Sequence, residues 1–318
     1  MTVMAGDDEH WSAVSLPNIV EIESSWSRPL VIACCSAAKS AAAIIRLGPE
    51  SGETMATVTS QWRTILTAAK PDRPARLLYT GRAFAITCAA AARTGADLAV
   101  VSAGLGLVLA GTHVPAYDLT TEYGPCALAR RVVDWDARAW WRAVRNGPFA
   151  VPLAREAEVR PTIFMALTRP YARLLGDELE ALAGHADRVR IFGGGLSTVL
   201  PEAARPCLMP YDNRLEAVGL RGTRGDFAAR ALADFLDHVG IGASSSEDAA
   251  RVRARLAPVF PPSRPINLRA DDATLAREIG TMRQREPGIS TSQILRRLRD
   301  EVRLACSEAR LRRLMAVA

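Results

Sequence analysis

The feature that most constrains the fold is an alternation of short apolar runs, polar or glycine-containing turns, and helical segments, clearest in residues 76–118. A short apolar run bounded by turns is typical of a buried parallel strand. In α/β proteins such strands place their carboxyl ends at one edge of a sheet, where ligands usually bind. The sequence therefore predicts an α/β fold that carries its chemistry on turns at that edge.

The same pattern extends along most of the chain. Strands are predicted over residues 30–35, 77–79, 98–102, 161–169, 188–192 and 207–211. Helices are predicted over residues 54–69, 82–93, 134–144, 170–184 and 227–239. Together these elements predict a three-layer, mostly parallel sheet.

Domain boundaries follow from composition. Residues 1–240 are predicted to form the α/β catalytic domain. Residues 241–270, which hold the run GIGASSSED and several prolines, are predicted to be a linker. Residues 271–318 predict a small all-α domain with helices over 272–285, 291–302 and 308–316.

Bulk composition narrows the class of protein. The chain is 49% hydrophobic and 23% charged, as in ordinary globular proteins. It contains no apolar run of about 18 residues, and its acidic N-terminus does not resemble a secretory signal. We therefore expect a cytoplasmic protein without a membrane partner. Its six cysteines show no CxxC motif or Cys/His ligand spacing, so we expect reduced thiols and neither metal nor other cofactor.

Positive charge is concentrated at the C-terminus. Of the net +6, residues 264–318 hold 12 Arg against 7 acidic residues, which is 12 − 7 = +5. Their three helices follow a helix-turn-helix pattern, with Arg310, Arg312 and Arg313 expected to point outward from the last helix into a DNA groove. The alternative is a solvated, arginine-rich bundle that contacts another protein.

Three turns in the larger domain are candidate binding elements. Ser36 and Lys39 follow the first strand, where they could contact a phosphate or substrate, although Ser36 could equally cap a helix. The loop from Arg221 through Thr223 and Arg224 to Asp226 precedes a helix and is suited to a sugar-phosphate backbone, with Asp226 most simply a helix cap. Gly193-Gly194-Gly195 follows another strand, but a lone triple glycine is only a weak phosphate-binding signal.

Four motifs then carry a family resemblance. They are Ala33-Cys34-Cys35-Ser36 with Lys39, Tyr79-Thr80-Gly81-Arg82-Ala83-Phe84, Ser102-Ala103-Gly104-Leu105-Gly106-Leu107 and Pro115-Ala116-Tyr117-Asp118. In this order they resemble a bacterial family with the pattern "CS..K … YTG..F … LSA.YGL … PYD". That family is similar to the YaaA peroxide-response proteins, to the accessory domain of archaeosine-type tRNA-guanine transglycosylases, and to phage-defence DNA glycosylases.

The resemblance covers residues 30–120 well and implies a uracil-DNA-glycosylase-like fold. The tail separately resembles small helix-turn-helix modules ending in "ACSxxRLRRL". The chain departs from the family at Gly104-Leu105, where an aromatic residue is usual, and it lacks the water-activating Asp and His motifs of the uracil enzymes. The family's catalytic roles are therefore not carried across.

The activity implied by the resemblance is that of a DNA N-glycosylase. Such an enzyme would excise a hypermodified, cytosine-type base from double-stranded phage DNA in antiviral defence. Breaking the glycosidic bond needs a carboxylate near C1′, for which Asp118 is the first candidate, followed by Asp226 and Asp212. Lys39 would hold a phosphate or attack C1′ as an amine.

Base recognition would require a pocket for the flipped nucleotide. Tyr79, Ser102, Tyr117 and Ser36 are the candidate substrate-binding residues, with Tyr117 stacking on the base. Arg82, Arg221, Thr223 and Arg224 are the candidate contacts to flanking phosphates. Two other functions remain open: a non-enzymatic DNA-binding or regulatory protein, and a nucleoside or tRNA base-exchange enzyme.

Overall fold

The structure is a computed structural model, and it describes residues 27–48, 51–122, 126–218, 221–261 and 267–317. The chain divides into two compact units, Met1–Pro261 and Pro262–Ala318. Among the described residues, no helix combines the length and the apolar composition needed to cross a membrane.

A five-stranded sheet forms the centre of the first unit, with strand order β5-β4-β1-β8-β9. Its strands are β1 (Leu30–Cys34), β4 (Asp97–Ser102), β5 (Gly106–Leu109), β8 (Ile163–Ala166) and β9 (Val189–Phe192). All neighbours are parallel except β5, which runs antiparallel to β4. Short pairs flank the sheet: β2 (Ile45–Arg46) with β7 (Tyr117–Asp118), and β3 (Arg73–Pro74) with β6 (His113–Val114). The predicted mixed α/β architecture with a mostly parallel sheet is therefore confirmed.

Helices cover both faces of the sheet. They are α1 (Met55–Ala68), α2 (Ala75–Leu78), α3 (Arg82–Thr94), α4 (Leu128–Arg131), α5 (Ala137–Val144), α6 (Leu153–Val159), α7 (Arg169–Leu174), α8 (Gly176–Ala181), α9 (Leu215–Val218), α10 (Phe227–Asp234) and α11 (Ser245–Leu256). Side-chain oxygens of Thr54, Asp136 and Ser244 accept hydrogen bonds from the first turns of α1, α5 and α11. Local capping therefore defines where these helices begin.

Alternation along the strands builds two apolar layers, because successive side chains of a strand point to opposite faces. Ile32, Met165 and Ile191 enter one cluster, together with the buried Trp62 and Trp140 of α1 and α5. The other cluster contains Val31, Phe164 and Phe192, together with Leu232 of α10 and Val252 of α11. Both faces of the sheet are consequently buried, as a parallel sheet requires.

The strand order creates a switch point beside β1. From the central β1 (Leu30–Cys34) the chain moves to β4 on one side, and later to β8 and β9 on the other. Connections therefore diverge between β1 and β8, and open α/β sheets bind ligands in the crevice at that point.

Three helices and one strand pair make up the second unit. The helices are α12 (Asp272–Arg285), α13 (Thr291–Asp300) and α14 (Glu308–Val317). A parallel pair joins β10 (Leu268–Arg269) to β11 (Leu304–Ala305). Its core contains Leu275, Ile279, Ile294, Leu298 and Leu311. The three predicted helices are confirmed, but the expectation of an all-α domain is wrong because of this strand pair.

The predicted linker is also wrong over most of its length. Helix α11 lies inside residues 241–270, yet Val252 and Leu256 are fully buried in the first unit. Asp248 of the same helix forms a completely buried ion pair with Arg190 of β9, with 2.6 Å between Oδ2 and Nε. The chain passes between units near residue 261 rather than at 241.

Two predicted strands are absent from the sheet. Residues 75–78 form helix α2, and Tyr79 makes only an isolated bridge to Lys39. Residues 207–211 make only one isolated bridge, between Leu208 and Ile191. Both segments are apolar, so local composition does not reveal that neither pairs as a sheet strand.

Candidate functional site

A cavity of about 770 Å³ opens at the carboxyl edge of the sheet, at the switch point. Cys35 follows β1, Leu167 and Thr168 follow β8, and Gly194 and Gly195 follow β9. The remaining lining residues come from two loops and from the starts of α7 and α10: Ala37, Thr120, Thr121, Glu122, Arg169, Pro170, Tyr171, Arg224, Gly225, Phe227 and Ala228. Its volume is in the range of small-ligand sites.

Aromatic and glycine residues shape one wall of the cavity. A Cβ atom at Gly194 would lie 3.3 Å from the ring of Phe227, so the bare backbone allows the ring to pack closely. Tyr171 and Phe227 are both half-buried and line the cavity. These two rings provide the aromatic surface that the sequence assigned to Tyr117.

Two arginines in the lining, Arg169 and Arg224, have no counterion in the part of the chain that the structure describes. Among the described residues neither forms an ion pair, and both are exposed. Nearby arginines are already paired: Arg173 with Glu122, and Arg230 with Asp226 and Glu216. Arg224 was a predicted phosphate contact, whereas Arg169 was missed.

Glu122 is the carboxylate in the described lining. Its Oε1 lies 2.9 Å from Nη1 of Arg173, and its side chain is 19% exposed. Asp118, the leading sequence candidate, does not line the cavity, and its Oδ2 accepts a hydrogen bond from the thiol of Cys126 at 3.0 Å. The structure thus places a different carboxylate against the space where a ligand fits.

Behind the cavity wall, Tyr79, Ser102 and Tyr117 meet in one buried network. Tyr117 Oη lies 2.7 Å from Ser102 Oγ and 3.3 Å from Tyr79 Oη. Tyr171 Oη lies 2.8 Å from the Cys35 sulfur, to which Tyr117 also donates over 3.6 Å. Burial raises the pKa of each of these three tyrosines, so their phenols stay protonated.

The predicted grouping of Tyr79, Ser102 and Tyr117 is real, but their predicted contact with a base is not. Tyr117 and Ser102 are completely buried and Tyr79 is 3% exposed. Trp62 also packs edge-on against Tyr117. A fully enclosed ring cannot stack on a ligand, so these residues support the cavity wall from behind.

Lys39 lies against this network. Its Nζ is 4.3 Å from the centre of the Tyr117 ring and 3.5 Å from the carbonyl oxygen of Ser36. Burial lowers the pKa of Lys39, while the nearby Cys35 and Asp118 oppose that shift. The hydroxyl of Ser36 donates to the Ala38 carbonyl, so Ser36 stabilises its own turn. Neither Lys39 nor Ser36 lines the cavity.

The loop between Arg221 and Asp226 is held against the start of α3. Arg82 forms an ion pair with Asp226 over 3.5 Å and donates a hydrogen bond to the Arg221 carbonyl. Thr223 and Asp226 form a capping box, in which Asp226 accepts from the Thr223 amide at 2.8 Å. Asp226 is 4% exposed. Its catalytic assignment is therefore corrected to a structural one. Asp226 stands at the N-cap position of α10 as predicted, but its carboxylate makes no capping hydrogen bond to that helix and instead closes the turn that begins at Thr223.

Asp212, the third carboxylate candidate, is paired within its own turn. Its two carboxylate oxygens accept hydrogen bonds from the Arg214 guanidinium at 2.8–3.0 Å. That guanidinium lowers the pKa of Asp212. Asp212 does not line the cavity.

In the second unit, the three predicted DNA-contacting arginines are engaged in ion pairs. Arg310 and Arg313 of α14 both pair with Asp272 at the start of α12, at 2.5 and 3.0 Å. Arg312 pairs with Glu308 at 2.6 Å. Arg312 and Arg313 remain largely exposed, but Arg310 folds inward and also donates to the Ala270 carbonyl. The expectation that all three point freely outward is wrong for Arg310.

Comparisons of the chain with protein-family models, with curated proteins and with solved structures found no match. In the part of the chain that the structure describes, no group of three or more His, Cys, Asp or Glu side chains is placed to hold a metal ion. The geometry of the cavity is therefore the basis for assigning a function.

Sequence reasoning did not single out the lining residues on which the proposed chemistry rests: Glu122, Arg169, Tyr171 and Phe227. Arg169 and Tyr171 follow the carboxyl end of β8 directly, a position that marks binding residues in parallel sheets. That signal was available in the sequence. Glu122 carries no local signal, because it reaches the cavity only through the loop that follows β7.

Proposed function

We propose that the protein is a DNA N-glycosidase that takes one nucleotide into the switch-point cavity and hydrolyses its glycosidic bond. The observation that carries the proposal is the joint presence in one cavity of the Glu122 carboxylate, the Tyr171 and Phe227 rings, and two arginines that form no ion pair among the described residues. Aromatic rings suit a flipped base, and guanidinium groups suit the phosphates of nucleic acid.

The reaction assigns distinct roles to these groups. Departure of the base leaves positive charge on the sugar, which a carboxylate close to C1′ stabilises. Glu122 takes this role or accepts a proton from the attacking water. The water oxygen bonds to C1′ as the bond from C1′ to the base nitrogen breaks, and the base leaves with a proton. The proposal gives Lys39 no part in bond cleavage, since it is not among the residues that line the cavity.

The rest of the chain supports an action on DNA. A mostly parallel sheet with helices on both faces is compatible with the uracil-DNA-glycosylase-like fold that the sequence motifs imply. The basic three-helix second unit is assigned as a helix-turn-helix module that binds duplex DNA. A hypermodified phage cytosine is the proposed base, on the strength of the family resemblance alone.

The test is release of free base from DNA without added metal. We expect base and alkali-labile abasic sites from DNA that carries modified cytosines, and Glu122→Gln should lower the rate by about 10²–10⁴-fold. Glu180→Gln, which removes an exposed carboxylate elsewhere, is the matched control. Asp118→Asn should retain activity. If Asp118→Asn abolishes release and Glu122→Gln does not, the carboxylate assignment is wrong.

A second function is a non-enzymatic regulator that senses a nucleotide in the same cavity. The ion pair between Glu122 and Arg173 favours it, since a paired carboxylate is less free to act on a sugar. Nucleotide-dependent DNA binding, with no base released from any modified or unmodified DNA, would support this function over hydrolysis.

A further inference from the structure

The arginines around the cavity fall into two groups. Three of them form ion pairs: Arg82 and Arg230 with Asp226, and Arg173 with Glu122. Arg169 and Arg224 line the cavity but form no ion pair within the described residues. The chain thus neutralises the structural arginines of this region and leaves two cations facing the ligand space.

The triple-glycine turn keeps the space beside Arg169 open. Gly195 has φ of +66°, a left-handed conformation that L side chains rarely adopt. A Cβ atom there would lie 3.8 Å from Nη1 of Arg169, so the guanidinium passes over bare backbone. A side chain at Gly194 would press on Phe227, at 3.3 Å from the ring. The turn therefore allows a ligand group to approach both Arg169 and the ring of Phe227.

We infer that Arg169 and Arg224 form an anion subsite that binds a phosphate group, so that the cavity selects nucleotides over nucleosides and free bases. Guanidinium groups bind phosphate through paired, charge-assisted hydrogen bonds. The inference rests on the proposed function, since it names the substrate class of the same cavity, but it concerns binding and not bond cleavage.

Charge distribution within the cavity orients the ligand. Glu122 repels a phosphate, whereas Arg169 and Arg224 attract it, so the anionic end of a nucleotide belongs at the arginines. The uncharged base then packs on Tyr171 or Phe227, and the sugar lies towards Glu122. In this orientation C1′ of the sugar lies nearer to the Glu122 carboxylate than the phosphate does, as the proposed hydrolysis requires.

Calorimetric titration of the full chain with four probes tests the subsite. The probes are 2′-deoxycytidine, its 5′-monophosphate, inorganic phosphate and a single-stranded trinucleotide. We expect the monophosphate to bind about ten- to a hundredfold more tightly than the nucleoside, as charge-assisted hydrogen bonds predict. Inorganic phosphate should compete with the monophosphate and not with the nucleoside. The trinucleotide distinguishes internal from terminal phosphates as the natural source.

Arg169→Gln and Arg224→Gln should each remove most of this preference while leaving nucleoside affinity unchanged. Arg155→Gln, which removes an exposed guanidinium outside the cavity, should keep it. Thermal unfolding of each variant checks that the fold is retained. Equal affinity for nucleoside and monophosphate in the unmodified chain, or full preference in both glutamine variants, overturns the inference.

Failure of the two proposals is distinguishable. Arginine-dependent nucleotide binding with no base release from DNA would leave the subsite standing and remove the glycosidase. Base release that depends on Glu122 but is unaffected by Arg169→Gln and Arg224→Gln would leave the glycosidase standing and remove the subsite.

Discussion

Lys39 is one of two lysines in the chain, the other being Lys70. Its ammonium group lies against the buried Tyr117 ring and forms no ion pair among the described residues. Burial lowers its pKa because a charged amine loses hydration there. In the Lys70→Arg variant Lys39 is the only lysine, so a lysine-specific NMR signal can be assigned to it.

We expect the Lys39 amine to titrate at lower pH in the folded protein than in the unfolded chain. The measurement is a pH titration of the Lys70→Arg variant after reductive ¹³C-methylation, followed by NMR with and without urea. Lys39→Arg assigns the signal by removing it. A folded-state titration at or above the unfolded one would contradict the burial effect.

The same shift predicts how Lys39 changes stability with pH. Below its folded pKa, the amine is charged in both states and its full desolvation cost opposes folding. Between that pKa and the ordinary value of 10.5, the unfolded state binds more protons, so stability rises with pH. The unfolding free energy of the unmodified chain minus that of Lys39→Gln should therefore increase with pH across this window. Denaturant unfolding at several pH values measures the difference, and a decreasing difference would show the opposite sign.

At the scale of elements, the loop over residues 221–226 owes its position to buried charge. Arg230 of α10 is 1% exposed and contacts Asp226 at 2.8 Å and Glu216 at 2.9 Å. It also donates to the Thr223 carbonyl at 3.0 Å. This clamp brings Arg224 into the cavity, so Asp226 acts on the site only through the loop.

Asp226→Asn should destabilise the first unit by about 3 kcal/mol, because it leaves the buried Arg230 charge only partly compensated. Asp237→Asn, which breaks the exposed pair with Arg93, should cost less than about 1 kcal/mol. Urea unfolding compares the two variants. Unchanged stability in Asp226→Asn combined with lost base release would restore Asp226 as a catalytic candidate.

Helix α11 decides where the first unit ends. It packs Val252 and Leu256 into the core and neutralises the buried Arg190 through Asp248. We expect a chain ending at residue 261 to unfold cooperatively, whereas one ending at residue 240 should not fold, since it exposes an apolar face and leaves Arg190 unpaired. Circular dichroism and thermal unfolding distinguish the two. Cooperative unfolding of the chain that ends at residue 240 would instead support the sequence prediction that residues 241–270 are a linker.

At the scale of the whole molecule, most of the net positive charge lies in the C-terminal part of the sequence, whereas the cavity lies in the first unit. Residues 264–318 hold 12 Arg and 7 acidic residues, close to the whole net charge of +6. The ion pairs of Arg312 and Arg313 are exposed, and exposed pairs contribute little to stability. Both guanidiniums are therefore available to exchange their carboxylates for DNA phosphates.

Removing residues 262–318 should weaken duplex DNA binding and flatten its salt dependence. If α14 contacts DNA, Arg312→Gln with Arg313→Gln should lower the slope of log affinity against log salt by about 1.8, since each phosphate contact contributes about 0.9. The matched control is Arg283→Gln with Arg285→Gln on α12, which removes the same charge. Equal slopes for both double variants would show that α14 has no special role.

Most elements could be predicted from sequence because their signals are local. Apolar runs marked β1, β4, β8 and β9, and apolar residues at helical spacing marked the helices of the second unit. The strand predicted over 77–79 was wrong, because residues 75–78 are helical, and the sheet position beside β4 is taken by β5, which pairs with it antiparallel. Which apolar segment pairs with a strand depends on distant residues.

The candidate site divides in the same way. The sequence alone predicted that the candidate site lies on polar turns at the carboxyl ends of strands. It singled out Arg224, which lines the cavity, and it grouped Tyr79, Ser102 and Tyr117, which form one hydrogen-bonded network. Only the tertiary structure decided that Tyr117 is buried, that Asp226 is a structural ion, and that Glu122 and Arg169 share a cavity. Whether a side chain is buried or ion-paired depends on the strand order and on residues far away in the chain. It therefore cannot be predicted from the residue type and its sequence neighbours alone.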